Sequence, residues 1–141
     1  MSAAARRIAI GADDASPLVD GLVRHLADAG HRVARAVPDG TAWPDVGRTV
    51  GEAVARGDAD LGIVVCWTGT GVSIAANKVP GVRAALCGDA ATAAGARRWN
   101  DANVLALSQR LTTPTVATEI VDAFLAADVD EDERANIDRL G

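Results

Sequence analysis

The chain has 141 residues, 49% of them hydrophobic, with 14 Lys and Arg against 19 Asp and Glu and a net charge of −5. That is the length of one ordinary domain with enough apolar material for a core, and its basic residues are too scattered to hold nucleic acid or an anionic membrane. No apolar run approaches the roughly 20 residues needed to span a bilayer, and the start MSAAARR is no secretory leader, so a cytoplasmic protein is expected.

In chain order, Arg7 to Gly11 (RIAIG) reads as a first strand. Ser16 and Pro17 form a helix start, Leu18, Leu22 and Leu26 with Val19 and Val23 make its apolar stripe, and Gly30 stops it. A second strand is predicted over Arg32 to Val37, then a polar loop over Pro38 to Pro44, then a helix over Asp45 to Arg56. Leu61 to Cys66 is apolar without alternation, as expected of a strand buried on both faces. After a glycine turn, a third helix is predicted to end at Lys78. A strand over Val82 to Cys87, a helix over Asp89 to Trp99, a strand over Asn103 to Leu107 and a helix over Pro114 to Ala126 complete the domain, residues 1–127. The acidic remainder, 128–141, is expected as a short helix or a partly disordered tail, with a partner subunit as its packing surface. Cys66 and Cys87, ending two apolar runs, are expected as free thiols.

Five strands alternating with helices through short connections predict an α/β fold: a three-layer, doubly wound, Rossmann-like parallel sheet in a single domain. Ligands of such sheets bind beyond the carboxyl ends of the strands, where strand order reverses. The chemically suggestive residues fall at that edge: Asp13 and Asp14, Trp43 to Asp45, Cys66 to Ser73, Asp89, and Ser108 to Arg110. The turn Cys66-Trp67-Thr68-Gly69-Thr70-Gly71 is no dinucleotide fingerprint, because Ile74 stands where the third glycine belongs and the turn follows the third strand. No Gly-Lys-Ser/Thr makes it a phosphate loop. What remains is either a tight strand-to-helix turn behind a core cysteine, or a helix N-terminus offering free amides to a small anion.

The segment CWTGTGVSIAANKVPGVRAALC, with WNDANVLAL, the start IAIGADDA and the loop Trp43-Pro44-Asp45, resembles the ribose-5-phosphate isomerase B and galactose-6-phosphate isomerase family over about residues 7 to 126. The resemblance implies an aldose–ketose isomerase working through an enediolate on a sugar or sugar phosphate, with no cofactor and no metal. It also implies a homodimer or homotetramer with active sites shared between subunits. It assigns Cys66 as base, Thr68 as proton relay, the amides of Gly69, Thr70 and Gly71 as oxyanion hole, and Asp13 as a contact to substrate hydroxyls. Asn100 would hold the enediolate and Arg110 the phosphate end, with Trp43 and Ser73 as further binding positions. An ordinary thiol, with a pKa of about 8.5, needs activation to act as a base, and a helix N-terminus supplies it.

The chain departs from the family pattern at four places. Asp14 and Trp99 replace histidines, the second of them the residue expected to open the sugar ring, and an indole cannot shuttle a proton. Trp67 replaces a glycine, and the tail VDEDERANIDRLG leaves only Arg134 or Arg139 to substitute for two phosphate-clamping arginines. The alternatives are an isomerase with a shifted phosphate site, an enzyme for a non-phosphorylated, open-chain or cationic sugar derivative, and a non-catalytic subunit.

Overall fold

The computed structural model describes residues 4–141. Its strands are β1 (Arg7–Ala12), β2 (Arg32–Arg35), β3 (Leu61–Cys66), β4 (Ala84–Leu86) and β5 (Val104–Ser108), all parallel in the order β2-β1-β3-β5-β4. The helices are α1 (Pro17–Asp28), α2 (Trp43–Ala55), α3 (Thr70–Asn77), α4 (Ala90–Asn100) and α5 (Pro114–Ala126), followed by a short α6 (Arg134–Ile137) between two 3-10 turns. Among the described residues no helix is long and apolar enough to cross a membrane.

The side-chain period of a strand divides the core into two layers. Leu61, Ile63 and Val65 of β3 face α1, α4 and α5 in one cluster with Leu22, Leu26, Ile120 and Phe124. Val64 and Cys66 face the other side, against Val46 and Val50 of α2 and Val72 and Ala76 of α3. Every residue of β3 is therefore buried, as its unbroken apolar run predicts. Helices α2 and α3 approach closely through Gly47: a Cβ there would lie 2.6 Å from the Ala75 side chain and 2.7 Å from the Val72 carbonyl oxygen. This contact sets α3, and with it the turn after Cys66, against the start of α2.

Caps fix the helix starts that the sequence shows. The Ser16 hydroxyl accepts from the Val19 amide, the Asp89 carboxylate from the Thr92 amide and the Thr113 hydroxyl from the Val116 amide. Helix α2 begins at Trp43, two residues before the Asp45 start expected, because Ala42 offers no side-chain cap and Pro44 fits the first turn. Strand β4 is only three residues long, since the Val82 amide is drawn into a turn with the Val79 carbonyl. The tail folds onto its own chain: Ile137 is buried, the Asp130 amide donates to the Arg98 carbonyl, and Arg134 reaches Asp101. Both cysteines are free and buried.

Candidate active site

After β1 the chain turns one way to β2, then crosses back over β1 to β3. A crevice therefore opens between the carboxyl ends of β1 and β3, the switch point of the sheet. A cavity of about 340 Å³ lies there, lined by Asp13, Trp43, Cys66, Trp67, Thr68, Thr70 and Gly71. Seven of the residues expected to form a site thus share one cavity. A larger cavity of about 410 Å³ between β2 and α2 is lined largely by alanines and contains none of the residues expected to form a site.

Cys66 ends β3 and is almost fully buried, its thiol side facing α2 and α3. The backbone beyond it is an extension of the sheet: the Gln109 amide donates to the Cys66 carbonyl at 2.9 Å and the Arg110 amide to the Trp67 carbonyl at 3.0 Å. The buried Ser108 hydroxyl donates to the same Trp67 carbonyl at 3.1 Å and accepts from the Leu111 amide at 3.3 Å. Ser108 is the tether that a motif reading underrates, because its effect comes from β5 lying beside β3.

Gly69 then caps α3 in the left-handed region, φ 77°, where a side chain is strained. The only helix bond of this first turn runs from the Ser73 amide to the Gly69 carbonyl, and no acceptor among the described residues takes the amides of Thr70, Gly71 and Val72. These are the unsatisfied donors of a helix start, and they carry the positive end of the helix dipole. Thr68 and Thr70 place their hydroxyls 2.7 Å apart at the same mouth. The Trp43 ring lies against Gly71, where a Cβ would meet it at 2.8 Å, and Trp67 stands 61% exposed on the rim. Asp13 completes the floor with a buried Oδ1 that has no hydrogen-bond partner. A buried acceptor without a protein donor is costly, and this one opens a hydrogen-bonding position in the cavity wall.

The other expected residues lie outside this cavity. Asp14 and Arg110 are exposed and do not line it, and Ser73 sits one turn further along α3. Trp99 and Asn100 end α4, whose 11 residues carry them about 16 Å back toward the amino edge of the sheet. From there the Trp99 ring folds back onto Gly95 and, with Asn100, lines a groove with Leu86, Cys87 and Thr92, while Asn100 also borders a groove with Gly81, Leu140 and Gly141.

The tail arginines lie near the same end. Arg83, Arg97 and Arg134 converge on Asp101, at 3.3, 3.0 and 3.4 Å. Asp101, in the left-handed conformation at φ 49°, caps α4 and is the one hub in this region that the sequence did not single out. Glu131, and after it Asp101, makes the Arg134 guanidinium hold its proton more tightly than usual. At the opposite edge, just past the carboxyl end of β4, burial, aided by Asp89, pushes the Cys87 thiol up to about 11.

The fold is a doubly wound α/β sheet with a cavity at the switch point between β1 and β3, the place where sheets of this kind bind their ligands. The family model described as Ribose/Galactose Isomerase matches residues 8–140, and the chain belongs to that family. It is 39% identical over 126 residues to ribose-5-phosphate isomerase B of Escherichia coli, covering 86% of this chain and 85% of that one. To D-erythrulose-4-phosphate isomerase of Pectobacterium atrosepticum it is 41% identical over 126 residues, covering 86% and 83%. The structure of ribose-5-phosphate isomerase B from Clostridium thermocellum matches with a TM-score of 0.91 at 38% identity, over 96% of this chain and 95% of that one. The family expected from SIAANK and NDANVLAL, and the parallel single-domain sheet, are both borne out.

Proposed function

We propose that the chain is an aldose–ketose isomerase of sugar phosphates that works through an enediolate with Cys66 as its base. The observation that carries this reading is the convergence, on one cavity, of a thiol, a bare carboxylate oxygen and unclaimed helix amides. The Cys66 thiolate takes the proton from the carbon next to the carbonyl. The C–H electron pair becomes the C=C bond of the enediolate, and the carbonyl oxygen takes up negative charge. The amides at the start of α3 meet that charge; a missing donor of this kind costs on the order of 100-fold or more in rate. Thr68 moves a proton between the two substrate oxygens, and the Cys66 thiol returns its proton to the neighbouring carbon. Atoms and electrons balance without a cofactor, and the bare Asp13 oxygen accepts from a substrate hydroxyl.

The phosphate end points away from the β1 loop. Asp14 at about 4 Å from a phosphate would cost about 4 kcal/mol per unit charge at an effective dielectric of 20. Arg110, whose amide donates to the Trp67 carbonyl, lies on the β5 side, away from that loop. Trp99 and Asn100 end α4 and, like Arg134 and Arg139, do not line the cavity of their own subunit; in this reading a second copy supplies them. The apolar strip of Leu86, Trp99 and Leu140, each more than 40% exposed, supports such an assembly. In the test, Cys66→Ser abolishes exchange of the substrate α-proton with deuterated water while ligand binding persists; retained exchange removes Cys66 from the role.

A further inference from the structure

Isomerisation moves two kinds of proton, one at carbon and one between the two substrate oxygens. Starting from a ketose, the Cys66 thiolate removes a proton from C1, the charge collects on O2, and O1 keeps its hydrogen. The aldose forms only after that hydrogen has passed from O1 to O2. A single hydroxyl is poorly shaped for this transfer, because the two oxygens of a cis-enediolate lie about a hydrogen bond apart. Three oxygens so spaced make a triangle with about 60° at each corner, which bends both O–H···O bonds far from linear. Four make a ring with about 90° at each corner, nearer to the spread of a hydroxyl's own donor and acceptor directions.

The cavity holds a second hydroxyl in the right place. Thr68 Oγ1 and Thr70 Oγ1 lie 2.7 Å apart, either can donate to the other, and both residues line the cavity with Cys66 and Asp13. Residues two apart in a strand share a face but stand about 6.6 Å from each other. The left-handed Gly69 between these two, φ 77°, folds the chain so that the pair meets. Gly69 is also the N-cap of α3 and offers no side chain, yet neither threonine takes over the capping. Among the described residues each hydroxyl has its only hydrogen bond to the other, whereas the hydroxyls of Ser16 and Thr113 are bound to helix amides. A bonded pair of hydroxyls keeps one proton free to give and lone pairs free to receive one.

We infer that Thr70 is a catalytic residue, the second hydroxyl of a relay that Thr68 and Thr70 form together across O1 and O2. The hydroxyl beside O2 gives its proton to O2 and takes the proton of its partner, and the partner takes the proton of O1. Three O–H bonds break and three form. Both threonines are restored with the bond between them reversed, and the negative charge has passed from O2 to O1. The thiol then returns a proton to C2 as an O1 electron pair closes the C1=O bond. The inference rests on the isomerase reading above and adds the Thr70 side chain, since the oxyanion hole uses only the amide of that residue.

The test uses the full chain with Thr70→Val, which keeps the branched shape and loses the hydroxyl, and with Thr70→Ser, which keeps the hydroxyl. The probes are D-ribulose 5-phosphate and the four-carbon ketose D-erythrulose 4-phosphate in deuterated water. NMR reads two rates: α-proton exchange in the ketose, which needs only the thiol, and formation of the aldose, which also needs the relay. In Thr70→Val aldose formation should fall roughly 100-fold while exchange stays near the parental rate, and Thr70→Ser should recover the lost activity. Aldose formation at the parental rate in Thr70→Val overturns the inference, as does a serine variant no better than the valine one. An equal fall in both rates also overturns it, because a residue that merely supports the turn would disturb the two steps together. A parent chain that exchanges neither ketose overturns the isomerase reading itself, and the relay with it.

Discussion

Gly69→Ala tests whether the turn proposed to bind an anion is set by backbone geometry. At φ 77° an alanine pays the left-handed penalty of about 1–2 kcal/mol. Its Cβ would also lie 2.6 Å from Leu86 Cδ1 and 2.8 Å from the Leu107 carbonyl carbon. The leucine side chain can rotate, but Leu107 is backbone in a fully buried strand and cannot yield, so overpacking adds about 1–3 kcal/mol. The sum, roughly 2–5 kcal/mol, corresponds to a fall in Tm of about 6–20 °C for a domain of this size. If the turn shifts to relieve the contact, the amides of Thr70 and Gly71 leave the cavity and turnover drops on the order of 100-fold. Differential scanning calorimetry at fixed protein concentration and an exchange assay on the same preparation measure both effects. A variant that melts within 2 °C of the parent and keeps its activity would refute the reasoning.

Trp99→His places a titratable ring at the α4 end; if a second copy completes the cavity, kcat/KM for ribose 5-phosphate should rise about tenfold or more without a matching gain on the four-carbon ketose. Equal effects on the two substrates count against a shared site. Asp101→Asn keeps a residue that tolerates φ 49° and removes the charge shared by Arg83, Arg97 and Arg134. A loss of about 1–3 kcal/mol and faster proteolysis beyond Ala127 are expected, and an unchanged tail cleavage rate would show that Asp101 does not anchor it. For Cys87, whose folded pKa is raised to about 11, the stabilisation is complete below the unfolded value and lost as pH rises from about 9 to 11. Urea titrations should show that decline, of order 2–3 kcal/mol, in the parent and a flatter profile in Cys87→Ala; identical slopes refute it.

Most of the fold is legible because its signals are local. Ser16-Pro17 and Thr113-Pro114 carry their caps in the sequence, and the run Leu61 to Cys66 announces a strand with no solvent face. Where no side chain caps the start, as at Ala42, the helix is placed late. Strand β4 is overextended for a related reason: the turn bond from Val82 competes with the ladder, and apolar content does not distinguish the two. At the site, Asp13, Trp43 and the Cys66 turn are gathered by sheet order alone. The separation of Trp99 and Asn100 follows from helix polarity, since a helix leaving the carboxyl edge must end near the amino edge. The arginine cluster at Asp101 is different, because it joins residues 33 positions apart that no local pattern links.

The carbonyls of Cys66 and Trp67 are both taken up by the β5 extension, through Gln109, Arg110 and Ser108. The thiol proposed as base therefore sits on backbone pinned by a neighbouring buried strand. Its position is prepaid during folding, so binding a substrate need not reorganise it. Adjustment to different sugars then falls to the opposite wall: the start of α2, the rim at Trp67, and any face that the proposed second copy would contribute. In such an arrangement chemistry and selectivity can diverge separately, with the thiol and its amides held constant while a few residues around them redefine which carbon chain is admitted.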